Sequence, residues 1–542
     1  MPLESSPNFT PQADGVYLYQ KPPVVAPLPN ATSNVVAFDG TSSWGTSNTP
    51  ISFGSEAELY DAFGRMTSDP HSLVTEAYCV LDQANTIVAS RVTDGTDTPA
   101  QISITDATGA VMALLTAACS GSRPTPPTGT PAQASLSPSA LSTASAPLWR
   151  LVTSMPDSNP ESWDGLVGYK MVAGVATPDT PTLNASIAAA VNRGYNRRPA
   201  SAYWLSTAGG ATGAPVAGTF LPMIVGTDGA LGVTEPMMIG TDGDSGRTGL
   251  WALRGSGADT AFCSGCYSPA VAAAVDAFVK SELAYGLANA GPSGTTTNAA
   301  VATKQTNNIA STSLSLCIDW VGMNDPNTQQ PRTVSPLGFI AGEISSLLPE
   351  QSPGNKPVNG FSPRLLYTER SQGGQPISGF GNGGGEIGKR ASAGLLYITN
   401  QLAGSNGLFK VAHGQNTSGI PGQDGINSTR MTNLLTRGIF SIVGPYVDGL
   451  QSADPNDPLR TTVGDALRQW LGTFKTAKRI VDYSVDDGSG NTQATVVAGF
   501  AYVLIQVQYL GVARFFIPTF QGGTSVVIAA PTRILALQAA AA

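Results

Sequence analysis

The sequence predicts a multidomain α+β protein, and three features carry that expectation. The 542-residue chain holds 61 glycines and 40 prolines, a density of turn-forming residues that suits many short strands. Its last third places two amphipathic helices directly before a hairpin, so helix and strand are segregated. Both terminal regions carry short apolar strands with no local partner. The length allows about two to four domains with a large core.

Composition narrows the function classes. Only 12% of residues are charged, about half the usual share, which suits a β-rich protein whose surface is largely buried in an assembly. The net charge of −8 argues against a dedicated nucleic-acid binder, which would carry a basic footprint. Cys79, Cys119, Cys263, Cys266 and Cys317 are odd in number and scattered, so they form no disulfide framework and a reducing site of synthesis is expected. Cys263 and Cys266 make one CxxC, but zinc needs two further ligands and no second pair is present. MPLESSPNFTPQADG has neither the basic nor the apolar region of a secretory signal. The apolar run 496–516 is interrupted by Gln506, Gln508 and Arg514 and alternates in part at period two, so a buried strand is expected there rather than a membrane span.

The elements follow in order. Residues 1–33 read as an extended arm: GVYLYQ (15–20) is a short strand, and the prolines of KPPVVAPLP exclude a helix. In 34–120, NVVAFDGTSSWG is strand and turn, SEAELYDAFG (55–64) is a helix between Ser55 and Gly64 caps, and TIVASRV (86–92) is a strand. Residues 121–147, rich in Pro, Ser, Thr and Ala, read as a linker or long exposed loop. Residues 148–330 form a central outer α/β domain with a GDSG turn, a strand GLWAL (249–253) and a helix at 268–284 capped by Ser268 with Pro269 in its first turn. In 331–520, Met431, Leu434, Leu435, Ile439 and Ile442 fall at helical spacing, as do Val463, Leu467, Trp470, Leu471 and Phe474, and VDYSV with the run ending in VLIQVQYL makes a hairpin with a long second strand. Residues 521–542 form a second extended arm containing TSVVIAAP (524–531).

Three stretches imitate catalytic or ligand motifs. GDSG around Ser245 spells the nucleophile turn of chymotrypsin-like proteases, yet His71 and His413 are the only histidines, His413 follows the serine, and Arg247 stands where that class has glycine. A structural turn fits better than a nucleophile with its base. GFGNGGGEIG (379–388) has a G-x-G-x-x-G spacing without the strand-turn-helix context of a nucleotide site, so it reads as a flexible loop. Asp454, Asn456 and Asp457 lack EF-hand spacing and read as the start of a helix.

Taken in sequence, several blocks resemble the sheath proteins of contractile phage tails, including Mu-like ones. GVYLYQKPP is similar to the family's first strand, and the segment from Asn34 to Gly64 to its first conserved block. GTDGDSGRTGLWALRGSGADTAFCSGCYSPAVAAAV resembles the family's TDG, GR-x-GL-x-AL and Ser-Pro helix. SPLGFIAGEI (335–344) resembles its P-x-G-x-x-AG block, SPGNKPVNG (352–360) the segment after it, and the stretch from ADPNDPLR to KRI its C-terminal block. GEISSLLPE lacks the acidic residue that often follows the AG block, and 121–147 has no counterpart.

The resemblance implies a C-terminal α+β sheath domain built from both chain ends, inserted β-rich outer domains and extended terminal strands. It implies a structural, non-enzymatic subunit without cofactor, polymerised with itself in stacked hexameric rings around a tail tube protein, touching baseplate and tail terminator proteins, and binding neither nucleic acid nor membrane. Its place would be the contractile tail of a virion, assembled in the host cytoplasm. The alternatives are a serine hydrolase using Ser245 and a static β-rich coat. Val16, Tyr17, Leu18, Tyr19, Val526, Val527 and Ile528 would be intersubunit strand residues. Residues 460–479 carry a local excess of four positive charges; Arg468, Lys475 and Arg479 share one helix flank and, under the resemblance, would face the tube.

Overall fold

The computed structural model describes residues 34–84, 86–126, 129–244, 246–358, 364–369, 385–400 and 408–513. The chain first lays down β1 (Val36–Gly40), β2 (Pro50–Phe53), α1 (Glu56–Phe63), α2 (Leu73–Val80) and β3 (Ile87–Arg91). The α1 helix has the expected caps: Ser55 Oγ accepts from Glu58 N, and the Gly64 N–H donates to Tyr60 O.

A β-rich domain is then inserted, its neck marked by the bridge Thr98↔Thr227. It contains β4 (Gln101–Thr105), β5 (Val111–Ala117), β6 (Gln133–Pro138), β7 (Leu148–Ser154), β8 (Glu161–Val167), β9 (Tyr169–Val172), β10 (Val175–Pro178), α3 (Thr180–Arg193), β11 (Trp204–Ala208), β12 (Gly218–Phe220) and β13 (Pro222–Ile224). Two four-stranded sheets, β11-β5-β4-β13 and β12-β6-β7-β8, share a core with α3 around Trp149, Trp163, Trp204 and Ile187. Arg123 holds the neck, donating to Asp61 O at 2.8 Å and Ser158 Oγ at 2.7 Å.

This architecture corrects two expected boundaries. Residues 121–147 are not simply a linker, because β6 lies within them with Ala132, Ala134 and Leu136 buried. Small Ser and Ala residues alternating at period two make a strand that composition alone disguises. Nor do 148–330 form one outer domain. After the neck come α4 (Glu235–Ile239), the two-residue strands β14 (Asp242–Gly243) and β15 (Gly246–Arg247), then β16 (Thr260–Cys263), α5 (Pro269–Glu282), β17 (Tyr285–Asn289), α6 (Thr297–Thr306) and β18 (Leu314–Cys317). Of these, β16, β17 and β18 return to the first sheet. GLWAL is a 3-10 turn rather than a strand, burying Leu250 and Leu253 on one side, the i, i+3 spacing of that helix.

Three short strands follow, β19 (Val321–Asn324), β20 (Pro331–Val334) and β21 (Leu365–Thr368), with α7 (Leu337–Ser346) between the last two; α8 (Glu386–Ala393), β22 (Leu395–Thr399) and β23 (Lys410–Ala412) complete the main domain. Its eight-stranded sheet runs β2-β3-β1-β16-β17-β18-β22-β23. The strands from β3 to β22 are parallel, and both edge strands are antiparallel. Val36 and Phe38 enter the core under α2 and α7, whereas Ala37 enters the opposite core under α5. Both faces are therefore covered, which is why these strands are short, continuous apolar runs. Gly338 lets α7 meet α2, since a Cβ there would lie 2.7 Å from Glu76 O.

The last unit comprises α9 (Ile426–Val443), α10 (Pro458–Thr476), β24 (Ile480–Asp486), α11 (Gln493–Val497) and β25 (Leu504–Tyr509). The expected apolar stripes of α9 and α10 meet in a separate core. Over its described part, 496–513, the run is not a buried strand: α11 is fixed by a Thr492–Thr495 capping box, Gly499 turns the chain at φ +80°, and β25 buries only alternate residues partly. Where α9 crosses α10, a Cβ on Gly438 would meet the Trp470 ring at 2.1 Å. Gly438→Ala would gain about 1 kcal/mol of helix propensity, but overpacking against a fixed indole costs about 1–3 kcal/mol. A lower melting temperature is expected by calorimetry; an unchanged or higher one would refute the close packing.

Three carboxyls are raised by burial: Asp39 to about 8, Glu76 to about 7 and Glu343 to about 7. At Asp39 desolvation outweighs the hydrogen bonds its carboxyl makes with the Cys263 thiol and its own backbone N–H. The folded state keeps these protons while unfolded carboxyls release theirs near pH 4, so these groups make stability fall as pH rises from about 4 to 8. Carboxylates held low, such as Asp242 beside Arg247, lose their contribution only below that window. A higher melting temperature at pH 5.5 than at pH 8 is expected, with Asp39→Asn flattening the difference; a rise toward pH 8 would refute it.

Candidate functional site

The C-terminal unit ends in a two-stranded sheet. β24 and β25 pair antiparallel from Ile480↔Tyr509 to Asp486↔Leu504, and among the described residues neither has a second neighbour. Ile505, Val507 and Tyr509 pack on the helices together with Tyr483 and Val485. Tyr509 Oη sits 2.9 Å from Thr432 Oγ1, and Tyr483 Oη donates to Arg468 O at 2.9 Å. The outer face shows Val481 and Leu504, and the adjoining turn region shows Val497, Phe500 and Tyr502, all exposed. Two bare strand edges beside an apolar surface make a template for another strand.

The helix beneath begins at Asp457, whose carboxylate accepts from Leu459 N at 3.1 Å, Arg460 N at 3.2 Å and Ser452 N at 2.7 Å. Those bonds account for the Asp454–Asp457 cluster as a helix start. Arg468, Lys475 and Arg479 do lie on α10 and just past its end, but none is bare. Arg468 pairs with Asp465 at 2.8 Å and Asp487 at 2.9 Å, Lys475 with Asp482 at 2.7 Å, and Arg479 with Glu350 at 2.9 Å. Asp482 holds Lys475's ammonium above its ordinary range, and Lys475 in turn holds the Asp482 carboxyl low. Arg460 is buried and donates to the carbonyls of Ser452 and Asp454. The local positive excess is thus balanced by acids outside the helix, and Glu350 could not be linked to it by any sequence spacing.

The GDSG stretch forms the β14–β15 hairpin, with Asp242 opposite Arg247 and their side chains paired at 2.7 Å. Ser245 itself lies outside the described residues. The groove beside the turn, about 330 Å³, is lined by Asn48, Gly243, Asp244, Gly246, Arg247 and Ala252, with no histidine. His71 Nδ1 is instead 3.1 Å from Ser264 O and 3.6 Å from Cys266 Sγ, and His413 stands edge-on to Tyr397. A serine nucleophile needs an adjoining base, and the described surroundings of this turn supply none.

Neither a family model nor a curated relative matches the sequence. Solved structures do. A sheath tail protein from Desulfitobacterium hafniense superposes at TM-score 0.54 over 87% of this chain and 93% of its own, at 15% identity. One from Listeria innocua does so at 0.56 over 88% and 95%, at 12% identity. The fold is that of a sheath tail protein.

In doubly wound sheets the carboxyl ends of the strands are where ligands usually bind. In this sheath fold those ends are plugged. Asp39 and Cys263 end neighbouring strands, Asn289 Nδ2 donates to Cys266 O at 3.0 Å, and Glu76 Oε2 accepts from Gly338 N at 2.9 Å. Burial pushes the Cys263 and Cys266 thiols well up, which disfavours the thiolate that metal binding and nucleophilic attack require. Among the described residues no group of His, Cys, Asp and Glu is placed to hold a metal, and no helix is long and apolar enough to cross a membrane. The expected arm strands, Val16 to Tyr19 and Val526 to Ile528, lie outside the described residues, as does most of 379–388. The open hairpin, which would receive such arms, was visible in the sequence only as a hairpin.

Proposed function

We propose that this chain is a structural, non-enzymatic subunit of a contractile tail sheath. Copies polymerise with one another in sixfold rings around a tail tube, and the lattice shortens to drive the tube through a cell envelope. The single observation that carries this reading is the two-stranded sheet whose outer edges have no partner among the described residues, set within a sheath tail protein fold. Strand addition gives a head-to-tail contact that propagates without closing. Strands Val16–Tyr19 and Val526–Ile528 of neighbouring copies are the proposed occupants. Baseplate and tail terminator proteins are the proposed partners at the two ends of the lattice, which is assembled in the host cytoplasm and carried on the virion tail.

The flank bearing Arg468, Lys475 and Arg479 is the proposed tube-facing surface. The pairs of Arg468 and Lys475 are largely exposed, and pairs of that kind contribute only about 0–1 kcal/mol each, whereas Arg479–Glu350 is more enclosed. An acidic tube could exchange partners with Asp465, Asp482 and Asp487 at little cost, leaving a contact that releases. Contraction then needs no nucleotide, since a metastable lattice stores the energy in its subunit contacts.

Negative-stain microscopy of the purified protein tests the reading. Long tubular polymers are expected, and when the protein is coexpressed with its tube, tails of two lengths. Monodisperse monomers at high concentration would sink it, and particles of one invariant length would favour a static coat.

A further inference from the structure

Every described arginine but three is committed inside the chain, to a carboxylate, a hydroxyl or a backbone carbonyl. The exceptions are Arg193, Arg197 and Arg198. All three are exposed, and they fall within six residues at one corner of the inserted domain. Arg193 ends α3, where it also complements the carbonyl end of the helix. Arg197 and Arg198 lie beyond that effect. Tyr195 and Arg198 exchange backbone hydrogen bonds at 3.0 and 2.9 Å around Asn196 and Arg197, whose φ angles are +45° and +69°. This is a tight turn of the mirror-image kind, which ordinarily takes glycine at the Arg197 position. Tyr195 Oη pins it to β8 by donating to Gly165 O at 2.9 Å. A long cation is therefore held on a rigid, unfavourable turn with no partner among the described residues.

We propose that this arginine corner is an intersubunit contact, docking on the acidic surface of a second copy of the chain. Charge complementarity selects that occupant. Each copy carries 37 acidic against 29 basic residues, a net charge of −8, so a neighbouring copy presents an excess of carboxylates, and guanidinium forks pair with carboxylates in two-pronged geometry. The inference deepens the sheath reading, which brings identical copies into repeated contact. Repetition along a lattice turns weak exposed pairs into a cooperative term.

The test uses the full chain with Arg193→Gln, Arg197→Gln and Arg198→Gln combined, sedimented over a protein and salt series. Circular dichroism checks that the variant folds, as substitutions confined to exposed side chains should allow. Wild type should need more protein to polymerise as salt rises. The variant should need about tenfold more at low salt and respond less to salt, and replacement by lysine should restore most of the loss. Equal polymerisation and equal salt response in the variant overturn the proposal. So does a variant that polymerises normally but loses retention on heparin or on anionic vesicles, since the partner would then be a polyanion of another class. Wild type that associates without forming tubes defeats the sheath reading alone, because the salt comparison still decides this contact. Wild type that never associates defeats both.

Discussion

Chains lacking residues 1–22 or 521–542 are expected to fold but not to assemble. The four apolar cores of the described residues lie between Val36 and Tyr509, and both deletions leave every one of those side chains in place. What each removes is a strand proposed to complete the β24–β25 sheet of a neighbouring copy. A strand of four to six residues adds about four ladder hydrogen bonds, each worth about 0.5–1.5 kcal/mol net, and covers the apolar surface around Val481 and Leu504. Losing several kcal/mol per contact lowers association by orders of magnitude. Sedimentation should move from pelletable polymer to monomer, with circular dichroism and melting temperature close to those of the full chain. Truncated chains that still form tubes would show the arms pairing within their own subunit.

Asp259→Ala should destabilise the seat of the C-terminal unit by about 3–5 kcal/mol, the usual cost of breaking a buried ion pair by removing one partner. Arg430, fully buried on α9, donates to Asp259 Oδ2 through Nε at 3.0 Å and Nη2 at 2.7 Å, and to Leu347 O at 3.1 Å. Asn433 and Arg437, one and two turns on, donate to Ala284 O and to the carbonyls of Ala258 and Leu283. One polar stripe of α9 thus grips the amino ends of β16 and β17, while its apolar stripe packs on α10. Without Asp259 the buried guanidinium loses the carboxylate that takes its Nε and Nη2 protons. Urea unfolding should show the C-terminal unit released first, with protease cleavage before α9. The double variant Asp259→Leu with Arg430→Met should recover most of the loss, because apolar side chains of similar volume replace a buried pair at little cost. A wild-type midpoint for Asp259→Ala would falsify the tether.

Local signals were legible wherever the physics is local. Ser55, Ser268 and Asp457 cap the helices expected of them because an oxygen just before the first turn satisfies orphan N–H groups whatever lies beyond. The stripes on α9 and α10 were readable for the same reason: helical periodicity records which side is buried. The strand within 121–147 was not legible, since Ser and Ala at alternate positions carry little hydrophobic contrast and the prolines nearby point to a loop. GLWAL and the run after Gln493 failed because a short apolar string fits a strand, a 3-10 turn or a helix end equally well until its neighbours choose.

From sequence alone came the α+β class, the helix boundaries of the last unit, the implausibility of a Ser245 nucleophile and the order of blocks that resembles sheath proteins, all of which rest on residues near one another in the chain. Tertiary structure alone decided that β16, β17 and β18 rejoin β1 across an inserted domain, that Glu350 meets Arg479, and that among the described residues Arg193, Arg197 and Arg198 meet no acid while the other arginines do not go unpartnered. Parallel pairing and ion pairing join residues more than a hundred positions apart, and no periodicity in the sequence encodes which distant partner a strand or a charge will find.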